Sequence, residues 1–309
     1  MKILITGACG HIGSYLSENV HKIKEIKKTI LLDNLKSNRF DSLFNSQKKN
    51  NLNFFNKDLN DINSLKQFKD VDLIIHCASM TNAEKSFGKE KEMYNNNINC
   101  MKTVIKYCCE TNTKLIHLSS TSVYGKQVKI VDETCEEEFL KPQSPYAKIK
   151  IIEENLLKKN KNKLKYNTYR FGTISGVSKG IRFHTAVNKF CLNASLNSKI
   201  QVYKTALHQF RPYLSVVDSF QVFKFTIEKN FFENDIFNVL TENYTVNQIL
   251  KKIKKFKKNI TIDYVNAPIM NQLSYHVDDK KIKNYGFKIK GSIEKDIKDT
   301  LKLLQNLKV

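Results

Sequence analysis

The sequence predicts an α/β fold: a doubly wound parallel sheet with helices on both faces, followed by a smaller C-terminal α/β region. Three observations carry this. The first 35 residues read as a strand, a glycine-rich turn, a helix and a second strand. Apolar strand-like runs then alternate with segments of helical period up to about residue 172, the pattern of right-handed βαβ units. Beyond that point the alternation loosens. The chain has 309 residues, enough for one or two domains around a large core.

The elements follow in order. Lys2–Thr6 is a short, nearly continuous apolar run and reads as a buried strand. A glycine turn and a helical pattern come next. Thr29–Leu32, Leu52–Asn56 and Val71–His76 read as the next three strands. Glu92–Glu110 has helical period, Lys114–Ser119 reads as a strand, Tyr146–Lys159 as an amphipathic helix and Tyr166–Phe171 as a strand. In the second half, Phe183–Leu196 looks helical and Ile200–Tyr203 looks like a short strand. Lys251–Lys258 reads as a basic helix and Ser292–Leu304 as a final one. This divides the chain into a cofactor domain, residues 1–172, and a mainly substrate-binding region, residues 173–309. Segments near 214–240 are expected to return to the first domain's sheet.

The turn after the first strand points to a ligand. Gly7 allows the chain to leave the strand sharply, Gly10 lets backbone approach a pyrophosphate, and Gly13 lets the following helix pack closely. The pyrophosphate would meet free N–H groups and the positive end of a helix dipole. Asp33 closes the second strand about twenty residues after the last glycine, where a carboxylate accepts hydrogen bonds from ribose hydroxyls. It would repel a 2′-phosphate, so NAD is expected rather than NADP. Together these pieces form a Rossmann-type dinucleotide site.

Bulk properties narrow the class. The chain is 41% apolar, as a globular protein is, and no run approaches the roughly 18 apolar residues of a membrane helix. It opens directly on a strand, so no signal peptide and a cytoplasmic location are expected. The seven cysteines show no metal-ligand spacing and several lie in apolar runs, as reduced core cysteines do. No metal is expected. The formal charge of +22 is spread along a lysine-rich and asparagine-rich chain, with a modest cluster at Lys251–Lys258. A solvated basic surface explains it without nucleic acid, and such a surface favours anionic small molecules.

The candidate catalytic residues are Ser120, Tyr146 and Lys150. On a helix, Tyr146 and Lys150 lie one turn apart on one face. A tyrosine's ordinary pKa near 10 is high for a base at neutral pH, and a neighbouring ammonium favours the phenolate. Lys150 could also hold the nicotinamide ribose. The run Ser119–Gly125 ends a strand, and a hydroxyl there can bond the oxygen whose proton Tyr146 takes. Pro142-Gln143-Ser144-Pro145 stands just before the tyrosine.

Taken together, several pieces resemble one family. They are Thr6-Gly7-x-x-Gly10-x-x-Gly13, Asp33-Asn34-Leu35, Asp58-Leu59, His76-Cys77-Ala78-Ser79, Asn97, Ser119–Gly125, Ser144-Pro145-Tyr146-x-x-x-Lys150 and Arg170-Phe171-Gly172. The chain resembles the extended short-chain dehydrogenases/reductases of the NAD-dependent nucleotide-sugar epimerase/dehydratase family, including their UDP-glucose 4-epimerase-like members. The resemblance spans roughly residues 1–220. It implies that Gly7, Cys9, Gly10, His11, Ile12, Gly13, Asp33 and Asn34 bind the dinucleotide. Asp58 and Leu59 would border the adenine, Cys77, Ala78 and Ser79 the pyrophosphate and ribose, and Asn97 would support the active site. It places Ser120 at the family's catalytic Ser/Thr position and implies a homodimer through two helices of each copy.

The same resemblance separates chemistries. The family's 4,6-dehydratases carry an Asp-Glu pair after the catalytic Ser/Thr, and its decarboxylases a Glu at the second position. Thr121 and Ser122 stand there instead. Asp33 disfavours an NADPH-fed reductase. An NAD-dependent epimerase of a nucleotide-activated sugar is the leading expectation. A keto-sugar reductase or dehydratase and a non-catalytic dinucleotide-binding regulator stay open. Candidate substrate contacts are Thr121, Thr173, Arg182, His184 and Arg211, the last suited to a diphosphate. The arginine that UDP-hexose members carry near residues 268–276 is absent, with Asn271, Gln272, Tyr275 and His276 there. His21 and His117 read as structural or surface.

Overall fold

The computed structural model describes residues 1–44, 51–81, 87–127, 130–266 and 275–307. In chain order its elements are β1 (Lys2–Thr6), α1 (His11–Asn19), β2 (Lys28–Asp33), β3 (Leu52–Asn56), β4 (Leu73–His76), α2 (Glu90–Thr111), β5 (Lys114–Ser120), α3 (Pro145–Lys159), β6 (Tyr166–Phe171) and β7 (Thr173–Ser175). There follow α4 (Ala186–Ser195), β8 (Ile200–Tyr203), β9 (Phe210–Ser215), α5 (Val216–Glu228), β10 (Asp235–Val239), β11 (Glu242–Thr245), α6 (Val246–Phe256), β12 (Ile262–Val265), α7 (Lys280–Asn284) and α8 (Ile293–Leu303). Asn271 and Gln272 lie outside the described residues.

Seven strands pair in the order β10-β6-β5-β4-β1-β2-β3, all parallel. The order reverses between β1 and β4, and in open α/β sheets that switch point is where ligands bind. The central strands are apolar on both faces because helices cover both. Ile3 and Ile5 pack on one side with Leu16 of α1 and Phe220 and Phe223 of α5. Leu4 and Ile74 pack on the other with Met101, Val104 and Cys108 of α2 and Leu157 of α3. Each such fully buried aliphatic side chain stabilises the fold by about 1.5–3 kcal/mol. A third cluster, from α4, α6, α8, β8 and β9, forms the core of the small C-terminal layer. There β11-β9-β7 form one sheet and β12-β8 another.

Local chemistry sets the helix ends. Ser144 caps α3 by accepting from the Ala147 amide at 3.2 Å, and Pro145 occupies the first helical position. Asn112 ends α2 in the left-handed region, at φ +54°. α5 and α7 have no counterpart in the sequence pattern, and two further helices start three or more residues from where it gives them. A capping box between Thr245 and Gln248 starts α6 at Val246, ahead of the lysine cluster, and Val246, Ile249, Leu250 and Ile253 form its buried stripe. α4 starts at Ala186 rather than Phe183, because Asn188 Nδ2 bonds the Arg182 carbonyl and holds the preceding residues outside the helix.

A buried carboxylate joins α8 to the small sheet. Asp296 accepts from Ser175 Oγ at 2.6 Å and Ser215 Oγ at 2.9 Å. Burial lifts its carboxyl to about 7 despite these bonds. An acid whose folded pKa is raised costs stability as pH rises from its unfolded value through its folded one. Urea unfolding of Asp296→Asn is therefore expected to show stability gaining on the wild type between about pH 4 and pH 7. A difference independent of pH would contradict this account of Asp296.

Candidate active site

A cavity of about 750 Å³ opens at the switch point, within the roughly 300–1,000 Å³ range of ligand pockets. The turn residues Gly7, Gly10, His11, Ile12 and Gly13 line one wall. Gly7 sits at φ +63°, and a Cβ there would come within 2.6 Å of the Ala78 amide nitrogen at the end of β4. No side chain caps the first turn of α1, which leaves its amides open to an anion. Asp33, Asn34, Asp58, Leu59, Cys77, Ala78 and Ser79 complete the wall. A cradle closed to side chains, open helix amides and a ribose-height carboxylate fit a dinucleotide.

The cofactor candidates contribute unequally. Asp33 Oδ2 accepts from the Cys9 amide at 3.0 Å and Oδ1 from the Leu35 amide at 2.8 Å, so both ends of the site hold it. Cys9 acts through that amide; its thiol is buried, and burial pushes it up to about 12. His11 is fully buried and its Nε2 is 2.9 Å from the Gly176 carbonyl. Burial and the Arg182 charge bring it down to about 3, so it is neutral. Asn97 lies outside the cavity wall and bonds both the amide and the carbonyl of Met80, at 2.8 and 3.0 Å.

Tyr146 and Lys150 lie together on α3, Ser120 lies on the neighbouring strand β5, and none of the three is among the residues that line the cavity. Ser120 ends β5, and its Oγ accepts from the Ser122 amide at 3.2 Å and the Ser122 hydroxyl at 2.9 Å. A hydroxyl has two acceptor positions and one hydrogen, so the Ser120 hydrogen stays available to donate. Tyr146 packs in one cluster with Met80 and Met93, which line the cavity. Lys150 Nζ lies 5.7 Å from the centre of the Tyr146 ring.

Of the five substrate candidates, two reach the cavity. Arg182 and His184 both line it. Arg182 bonds the Thr81 hydroxyl. Burial and then the Arg39 charge lower its guanidinium to about 10, which leaves it charged at neutral pH. Thr121 is buried and spends its hydroxyl on the Phe171 carbonyl at 3.2 Å. Thr173 and Arg211 lie on the small sheet, on β7 and β9, with Arg211 near Tyr213 and Tyr275.

Residues 3–239 match the family described as NAD dependent epimerase/dehydratase family. The chain belongs to that family. It is a family of NAD-dependent enzymes. A trifunctional UDP-glucose 4,6-dehydratase/UDP-4-keto-6-deoxy-D-glucose 3,5-epimerase/UDP-4-keto-L-rhamnose-reductase of Arabidopsis thaliana is 26% identical over 316 residues, covering 97% of this chain and 46% of the relative. A UDP-glucose 4-epimerase of Yersinia enterocolitica is 32% identical over 164 residues, covering 51% of this chain and 48% of the relative. The chain thus spans about half the length of the first of these curated relatives. The Thermus thermophilus UDP-glucose 4-epimerase, solved with NAD, shares the fold at 20% identity, a TM-score of 0.84 and 99% coverage of both chains.

Several contacts of this family member's site were not legible in its sequence. Gly180 packs against the glycine turn, where a Cβ would overlap the Cys9 carbonyl oxygen, and Arg39 Nη1 bonds the Gly180 carbonyl at 2.6 Å. Residue separations of 141 and more hide such contacts from any local pattern. Gly180→Ala is expected to destabilise the protein by about 1–3 kcal/mol through overpacking of the turn and to weaken NAD binding. Thermal unfolding with and without NAD, together with calorimetric titration, would check both effects.

Proposed function

We propose that this chain interconverts epimers of a nucleotide-activated sugar through a keto-sugar intermediate, with NAD in the switch-point cavity. The observation that supports the reading is Lys150 beside the ring of Tyr146, with Tyr146 packed in one cluster with Met80 and Met93 of the cavity wall. NAD, when bound, supplies reversible hydride storage, which a redox-neutral epimerisation needs. Tyr146 accepts the proton of a sugar hydroxyl and later returns it. Ser120, whose hydrogen is not used by Ser122, donates to the same sugar oxygen. Lys150 supplies positive charge below the phenol. The segment after Ser120 offers only the hydroxyls of Thr121 and Ser122, which favours epimerisation over elimination of water.

Asp33 supports NAD over NADP in this reading, and Arg182, with His184 beside it, supports an anionic group such as a diphosphate. Arg211 and Thr173, on the neighbouring small sheet, are assigned to the substrate side, and Thr121 to shaping the wall behind Ser120.

The test starts by denaturing purified protein and identifying any released nucleotide by mass spectrometry. Incubation with UDP-glucose, UDP-N-acetylglucosamine and UDP-glucuronic acid, read by proton NMR, then seeks epimer formation. Tyr146→Phe is expected to lower turnover by about 10²–10⁴-fold while NAD binding is retained. Turnover that survives the substitution would remove Tyr146 from its role, and released NADP would overturn the reading of Asp33.

A further inference from the structure

A polar row crosses four adjacent strands beneath Lys150. The parallel register pairs Thr6 with His76, His76 with His117 and His117 with Thr168, so the row runs across β1, β4, β5 and β6. Register partners in a sheet project to one face, and this face packs against α3. Thr6 Oγ1 is 2.8 Å from His76 Nδ1, and His117 Nδ1 is 3.3 Å from Thr168 Oγ1. His117 Nε2 is 2.9 Å from Glu153 Oε2, and the same oxygen is 2.7 Å from Lys150 Nζ. Lys150 is 3% exposed, Glu153 1% and His117 0%.

Enclosure gives this contact its meaning. A buried ammonium without a nearby anion loses its proton, because desolvation disfavours the charged form. Several titratable groups face Lys150. Tyr146, Glu153 and Glu154 lie on α3, His117 on β5, His76 on β4, and Cys77 follows β4. Glu154 is committed elsewhere, accepting from Arg170 Nε and Nη2 at 2.9 and 2.7 Å and from Ser119. Burial brings His76 down to about 3 and pushes the Cys77 thiol up to about 12, so both are neutral. Among the described residues, Glu153 is the anion in hydrogen-bond contact with the ammonium.

We propose that Glu153 is a positioning residue for the reaction: it keeps Lys150 charged and fixed below Tyr146, and His117, braced by Thr168, fixes Glu153. The inference rests on the reading that Tyr146 and Lys150 serve the chemistry. The protonation directions agree with the geometry. Burial pulls Lys150 down, but Glu153 and then Tyr146 outweigh it and leave the ammonium above its ordinary value. Burial would raise Glu153, yet Lys150 and the His117 bond hold it at about 2. Burial lowers His117 against the pull of Glu153, so a neutral ring donates from Nε2 and accepts at Nδ1.

The test is the pH profile of turnover. Glu153→Gln keeps the shape and removes the charge. It is expected to lower kcat at least about tenfold above pH 8, with little change in KM, and to give the profile a new alkaline limb as Lys150 deprotonates. Glu153→Asp keeps the charge and is expected to keep the wild-type profile shape. If Glu153→Gln does not fold, His117→Gln loosens the carboxylate and is expected to produce a smaller limb of the same sign. A wild-type profile in the folded variant overturns the proposal. Lys150→Met separates the two levels: turnover that survives it refutes the reading of the site itself. Loss in Lys150→Met with an unchanged Glu153→Gln profile refutes the role of Glu153 alone.

Discussion

The ionic seam between α3 and the sheet is the constraint on which the site depends. Three charged side chains of this one helix, Lys150, Glu153 and Glu154, are buried. Glu154 is fixed by the two-pronged bond from Arg170 of β6 and by Ser119 of β5, and the Arg170 guanidinium lies 4.9 Å from the centre of the Tyr124 ring. Glu153 is fixed by His117 of β5. Breaking such a pair strands a charge in low dielectric, at a cost of about 3–5 kcal/mol. A well-packed apolar seam could hold a helix equally tightly. The charged seam adds direction, because each bond selects one rotation and one height for the helix. That rotation sets Tyr146 toward Met80 and the cavity.

A second constraint is steric and holds the opposite wall. Gly7 meets the end of β4, Gly13 the turn itself and Gly180 the turn from outside, so three backbone segments touch where a single Cβ would part them. No side chain caps the first turn of α1, and its residues His11, Ile12 and Gly13 line the cavity. Asp33 is part of the same closure, since the Cys9 amide that it accepts from belongs to the turn. The carboxylate assigned to the ribose therefore also holds the phosphate-binding loop in place. The two walls meet through Arg182, which approaches Tyr146 and Cys77 on one side and Arg39 on the other.

The extent to which this was legible from sequence follows from the range of the interactions. The strand segments, the glycine turn, Asp33 and the Tyr146–Lys150 spacing all depend on neighbours within a turn or a strand, and local pattern reports them. The order of the strands in the sheet rests on distant pairings, which local pattern does not report. α6 starts ahead of the lysines at 251–258 because Thr245 and Gln248 form a capping box, a signal the sequence does contain. Phe183 fits a helical stripe, yet α4 starts at Ala186 after an extended Thr185, and Asn188 bonds the Arg182 carbonyl ahead of it. His117 read as a structural or surface histidine because nothing in a strand segment reveals that a glutamate 36 residues later lies above it. Thr121 followed Ser120 in sequence, yet the 3₁₀ turn after β5 buries its hydroxyl against Phe171.

The charge pattern of the cavity completes the physical picture. Its wall carries Lys36, Arg39, Lys57, Lys89 and Arg182 against Asp33, Asp58 and Glu92, with Lys89 and Glu92 paired at 3.8 Å. Lys36 and Asp58 pair at 2.8 Å, and although burial would raise the Asp58 carboxyl, Lys36 and Asn60 bring it to about 2. This pair is largely exposed and adds little stability. Its effect is to pair one acid at the rim, while Asp33 is held by the Cys9 and Leu35 amides. Beside these two pairs the wall holds Asp33 together with Arg39, Lys57 and Arg182. A bare cluster of cations would take any polyphosphate. In the proposed reading, Asp33 would repel an added phosphate on the ribose while the cationic side chains attract a diphosphate. In that reading selectivity comes from where one negative charge is fixed, and the Cys9 amide of the glycine turn helps to fix it.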